Sequence, residues 1–203
     1  AQIAGLSHRR PDEIVVAMND RNPQYHDIYR VSLTSGERTL LLQHDRFIGV
    51  EIDDDLVIRA AIQMTPEGGL DIYRPDGDDW AVWQRFPAED MLTASTAGFD
   101  KSGNVLYLRD SRDRDTAALV AIDLTTGARS LLAADERADA DQVLRHPTER
   151  HVQAVAFNYE RKNWQVLDPD IAADLDYLAG VADGEVEITS RSLDDQYWLV
   201  ANV

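Results

Sequence analysis

Short runs of β-branched and aromatic residues, each closed by Asp, Gly, Asn or Pro, recur through this chain at an interval close to 47 residues. Setting His8, Ile52, Phe99, His146 and Leu193 as equivalent gives intervals of 44, 47, 47 and 47, and after each marker comes a turn and then a strand. The pairs are RRPDE then IVVAM, DDD then LVIRAAI, DKSGN then VLYL, PTER then HVQAVAF, and DDQ then YWLVA. Residues before each marker also read as a strand, and a hairpin follows the second strand, so one unit holds up to four strands. That is the period and content of a propeller blade. A four-stranded sheet of this size cannot cover both of its faces, so each must stack on the next.

The units run over about 2–43, 46–85, 92–133 and 140–180, and a fifth begins at Glu185 and stops after two strands. Hairpins close at Thr34-Ser35-Gly36-Glu37, Pro75-Asp76-Gly77-Asp78 and Thr125-Thr126-Gly127-Ala128, where Gly supplies the positive φ of a tight turn. One segment departs from the pattern. Asp168 is an N-cap, Pro169 stands at the first helical position, Ile171, Leu175 and Leu178 share a face, and Gly180 closes. This predicts a short helix near 169–179, replacing the outermost strand of the fourth blade. The fold class is therefore all-β: residues 1–203 form a single, partial β-propeller of about four four-stranded blades plus the start of a fifth. Such an arc leaves open edges, which makes self-association an expectation.

Composition narrows the chemistry. With no Cys, thiolate metal sites, cysteine nucleophiles and disulfide staples are excluded, which fits a reducing, cytoplasmic setting. The formal charge of −17 repels phosphate backbones and anionic lipid, so neither nucleic acid nor membrane is an expected partner. No apolar run approaches the roughly 20 residues that cross a bilayer. The opening AQIAGLSHRR lacks an initiating Met, and the final YWLVANV reads as an uncapped strand; both suggest a piece of something longer.

No residue presents a catalytic, cofactor or metal signature. Ser102 and Ser35 lie in hairpin turns, not in the Gly-x-Ser-x-Gly elbow of an α/β-hydrolase. His146 and His151 flank a turn with Glu149 between them, but no third ligand stands at a motif spacing, and His146 is accounted for as a blade-start residue. His8, His26 and His44 are isolated. Carboxylates cluster at 53–55, 76–79, 110–115 and 168–176 without the order of an EF-hand loop, and Asp is the ordinary turn and cap residue. Ser192 to Trp198 misses the Gly and Trp spacing of the sialidase repeat. Trp80, Trp83, Trp164 and Trp198 fall in strands, where large rings pack blades together. Eighteen Arg beside only Lys101 and Lys162 suit bidentate pairing with the many Asp.

The wording of the repeat is recognisable in SHRRPDEI followed by NDRNP and HDIYRVSLTSGERTLLL, in GFDKSGNVLYLRDSRDRDTAALVAIDLTTGARSLL, in VAFNYERKNWQVLDPDIAADL, and in SRSLDDQYWLV. Together these resemble the N-terminal β-propeller region of bacterial serine peptidases of the prolyl oligopeptidase family, the branch of acylaminoacyl peptidases and dipeptidyl aminopeptidases. The resemblance covers nearly the whole chain. It implies a non-catalytic domain whose partner is a C-terminal α/β-hydrolase domain of the same polypeptide, absent from these 203 residues and carrying the Ser, Asp and His triad. It also implies that the propeller caps the active site and filters peptide substrates by size. Dipeptidyl members hold the substrate amino terminus with adjacent glutamates, and no Glu-Glu pair occurs here.

Two other classes remain open from residues alone. A stand-alone propeller scaffold for protein interaction would fit the repeat, although the Gly-His and Trp-Asp signatures of WD repeats are missing. A propeller glycoside hydrolase would need two carboxylates facing one pocket, which sequence does not establish.

Overall fold

In the computed structural model, which describes residues 1–181 and 183–202, every sheet is a meander of antiparallel neighbours. The first sheet runs β1 (Gln2–Leu6), β2 (Glu13–Asn22), β3 (Tyr25–Ser32) and β4 (Arg38–Leu42). The second holds β5 (Gly49–Ile52), β6 (Ile58–Met64), β7 (Leu70–Asp76) and β8 (Asp79–Phe86). The third holds β9 (Ser95–Phe99), β10 (Val105–Asp110), β11 (Ala118–Asp123) and β12 (Arg129–Ala133). The fourth has three strands, β13 (Ala140–Arg145), β14 (Val152–Tyr159) and β15 (Arg161–Val166), and the fifth has two, β16 (Val186–Arg191) and β17 (Trp198–Asn202). The blade ranges agree with the sequence reading to within a few residues. The fold is all-β with propeller-like blades.

The chain divides into two compact units, Ala1–Leu92 and Thr93–Val203. In the first, Val15, Ile28 and Leu56 form a buried cluster on which Val50, Ile52 and Ile58 of the second sheet pack. In the second, Tyr107 and Leu119 of the third sheet meet Val152, Val155 and Phe157 of the fourth. A further cluster joins the fourth sheet to the fifth through Leu144, Ala154 and Ile188. Within each unit, then, an apolar face that one sheet cannot cover is covered by the next, as the repeat requires.

The same stacking is seen in hydrogen bonds that span one repeat. Arg145 Nη1 donates to the Phe99 carbonyl at 2.9 Å, Arg191 Nη1 to the Arg145 carbonyl at 3.4 Å, and Gln142 Nε2 to the Ile188 carbonyl at 3.0 Å. Each pair is 46 residues apart. Gly98 is part of this seam. Its φ is +85°, and a Cβ there would lie 2.7 Å from the Arg145 guanidinium nitrogens, so no other residue fits without moving Arg145.

The predicted helix forms as a 3₁₀ turn, Pro169–Ile171, running into α1 (Ala172–Ala179). Asp168 caps it by accepting from the Asp170 N–H at 3.1 Å. Ile171 and Leu175 are buried against the fourth and fifth sheets, and Leu178 is half-buried. In chain order the helix comes where a fourth strand would follow β15. Gly180 ends it with φ −97°, an ordinary right-handed value, so the closing glycine is not used for left-handed freedom.

Candidate functional site

The repeat resolves into one chemical device. The last paired residue of each inner strand is Leu6, Ile52, Phe99, Arg145 or Arg191, and the next residue turns a side-chain acceptor onto the backbone of the turn. Ser7 Oγ accepts from the Arg9 N–H at 3.1 Å, and Asp53 Oδ1 from Asp55 and Val57 at 2.9 and 3.0 Å. Asp100 Oδ1 accepts from Asn104 and Val105 at 3.1 and 2.9 Å. His146 Nδ1 accepts from Thr148 and Glu149 at 3.2 and 3.0 Å, and Ser192 Oγ from Tyr197 at 3.0 Å. The repeating position is thus Ser7, Asp53, Asp100, His146 and Ser192. Four of the five sequence markers stand one residue away from it. The apolar pattern locates the strands, whereas the repeated unit is an acceptor that Ser, Asp and His each supply.

This settles the histidine pair. The rings of His146 and His151 do converge, stacked with centroids 5.4 Å apart. One nitrogen of each is committed elsewhere: His146 Nδ1 to its turn, and His151 Nε2 to Asp168 Oδ2 at 2.8 Å. Glu149 is bound by Lys101 at 2.6 Å. Among the described residues no three His, Cys, Asp or Glu side chains are grouped to hold a metal ion.

Asp53, Asp55 and Asp110 of the carboxylate clusters are engaged in the same way. Asp53 also receives Arg59 Nε at 2.6 Å, and Asp55 faces Arg9 at 3.2 Å. Asp110, fully buried, is bound by Arg112 at 2.7 Å and Arg129 at 3.0 Å. Burial alone would raise its pKa; the hydrogen-bonded Arg112 and the charge of Arg129 more than offset that and hold the carboxyl below the usual range. Ser102 and Ser35 cap their turns, accepting from the N–H groups of Asn104 and Glu37 at 3.2 Å. Trp164 and Trp198 pack on the cluster between the fourth and fifth sheets, and Trp80 meets the Phe47 ring edge-on at 5.4 Å.

Asp168 is the most perturbed of these acids. Gln153 Nε2 donates to it at 3.0 Å, His151 at 2.8 Å and the Asp170 N–H at 3.1 Å, which together lower its pKa from 3.8 to about 2. A carboxyl held low in the folded state stabilises above its unfolded pKa and loses that contribution as pH falls through the folded value. Solvent reaches one edge of the group, so the contribution is on the order of 1–2 kcal/mol. Urea denaturation from about pH 4 down to about pH 2 is expected to show Asp168→Asn with a flatter loss of stability than the parent chain.

Two open clefts lie wholly in the first unit. One, of about 400 Å³, has an apolar floor of Ala4, Ala17, Ile28 and Val50 and a rim that includes His26 and His44. His44 is fixed there by accepting from the Phe47 N–H at 3.2 Å, and burial lowers its pKa. The other, of about 500 Å³, lies on the second sheet. Sequence reasoning singled out no residue of either cleft as functional.

No family model matches the sequence. Dipeptidyl aminopeptidase BIII of Pseudoxanthomonas mexicana is 45% identical to it over 205 residues, an alignment that takes in 99% of this chain and 30% of that protein. Nearly the whole chain is thus similar to part of a dipeptidyl aminopeptidase. Dipeptidyl peptidase family member 6 of Caenorhabditis elegans is 30% identical over 200 residues, covering 93% of this chain and 27% of that one. The chain therefore spans less than a third of the length of these curated relatives. Among solved structures, a putative TolB from Agrobacterium tumefaciens superposes with a TM-score of 0.54 at 14% identity, over 84% of this chain and 59% of that one. An oligogalacturonate lyase in complex with manganese gives 0.55 at 11% identity, over 82% and 50%. At such identities these two speak to the fold alone, and it is propeller-like.

Proposed function

We propose that this chain is the non-catalytic propeller part of a larger serine peptidase. It caps an active site carried by an α/β-hydrolase domain of the same polypeptide and admits peptides by size. The observation that carries this reading is the 45% identity running along 99% of the chain to a dipeptidyl aminopeptidase of which it accounts for 30%. The side chains agree: His146, His151, Asp110 and Asp168 are engaged in turns and ion pairs, which suits a scaffold better than a reaction centre.

The test compares substrates in the full polypeptide. A dipeptidyl nitroanilide and a short unfolded peptide are expected to be cleaved, while the same dipeptide fused ahead of a tightly folded domain is spared. Equal cleavage of the folded fusion removes the size filter. Hydrolysis of the nitroanilide by the 203-residue chain alone removes the non-catalytic assignment.

A further inference from the structure

Three strands of the second sheet place Gln63, Asp71 and Arg85 directly opposite one another, in that order across β6, β7 and β8. Directly paired residues project from the same face of a sheet, with Cβ atoms about 5 Å apart. All three line the cleft of about 500 Å³, together with Pro66, Pro87 and Ala88. The row is short of donors. Gln63 Oε1 is buried and has no hydrogen-bond partner among the described residues. The Asp71 side chain is only 14% exposed, yet its sole ion-pair contact among the described residues is Arg85 Nε at 3.9 Å, beyond hydrogen-bond range, from a side chain that is 76% exposed. Two shielded acceptors on neighbouring strands thus face one cleft, and shielded acceptors without donors are costly unless something supplies them.

We propose that this cleft binds an organic cation, the side-chain ammonium or guanidinium of a basic peptide. Such a group carries only donors and one positive charge. It can reach the Asp71 carboxylate and Gln63 Oε1 together, while its alkyl stem lies along Pro66, Pro87 and Ala88. The loose, solvent-side contact of Arg85 is cheaply exchanged for a closer one. An anion is disfavoured by Asp71, by Glu67 on the cleft rim and by the overall charge of −17. The peptide nature of the ligand rests on the peptidase reading above; the donor-seeking cleft does not.

The experiment titrates Nα-acetyl-lysine N-methylamide into the ¹⁵N-labelled 203-residue chain and follows amide shifts, with the norleucine analogue as an uncharged isostere. Shifts are expected around Gln63 and Asp71 for the lysine probe and not for norleucine. Asp71→Asn should weaken binding by about tenfold or more, as loss of a charged hydrogen bond does. Gln63→Met keeps the volume, removes the acceptor and should weaken binding severalfold, which keeps the proposal testable if Asp71→Asn folds poorly. Asp115→Asn in the other unit should leave binding unchanged. Equal binding of norleucine, equal losses in Asp71→Asn and Asp115→Asn, or absence of any lysine-dependent shift overturns the site. Failure here leaves size filtering by the full polypeptide intact, and failure of that filter leaves this binding intact, so the two outcomes are separable.

Discussion

Phe157→Ala is expected to lower the stability of the second unit by about 3–5 kcal/mol, the range for removing a large ring from a packed core. Phe157 is 5% exposed on β14 and sits in the cluster that joins the third sheet, through Tyr107 and Leu119, to the fourth, through Val152 and Val155. Its cross-strand partner is Ala140, and Ala133 and Ala138 lie in the same cluster. Methyl groups tied to the backbone cannot swing into the space on that side, so a cavity persists there and adds to the cost. Leu131→Ala provides the contrast: Leu131 lies on β12 at 60% exposure and should change stability by no more than about 0.5 kcal/mol. Urea unfolding followed by tryptophan fluorescence reads both, since Trp164 and Trp198 lie in the same unit. If the two variants cost the same, face-to-face stacking of these sheets does not hold the unit together.

The contrast between Phe157 and Leu131 also marks what a sequence reveals. Strand positions, blade limits and the helix were legible because each is written in a local code: alternation, turn glycine, or the Asp168-Pro169 start. Gly36, Gly77 and Gly127 take φ of +72°, +61° and +72°, as their hairpins demand. The turn after each inner strand was harder to read for a physical reason. In the second to fifth blades it needs a left-handed residue, and only the third meets that need with glycine, Gly103. Leu56, Arg150 and Asp195 take the same conformation elsewhere, with φ of 59°, 63° and 58°. Leu56 is 2% exposed in the core of the first unit, and its apolar burial outweighs the strain of an unfavoured backbone. A code spread over Leu, Gly, Arg and Asp, with a cap supplied by Ser, Asp or His, has no single-letter signature. The cleft on the second sheet was illegible for a different reason. Gln63, Asp71 and Arg85 each read as the polar half of an alternating strand, and only cross-strand register brings them into one row.

Arg191→Leu is expected to be as damaging as the loss of Phe157, at about 3–5 kcal/mol, because it strips the charge partner from a network that is nearly closed to solvent. The Arg191 side chain is 5% exposed. It is held by Asp195 through both carboxylate oxygens, donates to Gln153 Oε1 at 2.7 Å, and lies 4.2 Å from the centre of the Trp198 ring. Gln153, 2% exposed, passes the connection to Asp168, and Trp198 Nε1 donates to Asp195 Oδ1 at 3.0 Å. Arg191 on β16 is thereby tied to β14 of the fourth blade, to the cap of the helix, and to the turn of its own blade. Leucine fills most of the volume, but it leaves Asp195 two hydrogen bonds short and Gln153 Oε1 without the one it receives from Arg191. The double variant Arg191→Leu with Asp195→Leu removes both charges, and replacing a buried pair by apolar groups costs less than breaking it. It should therefore recover part of the loss seen in Arg191→Leu, by roughly 1–3 kcal/mol in a double-mutant cycle. Additive losses in that cycle would mean that Arg191 acts through packing on Trp198 and not through its charge.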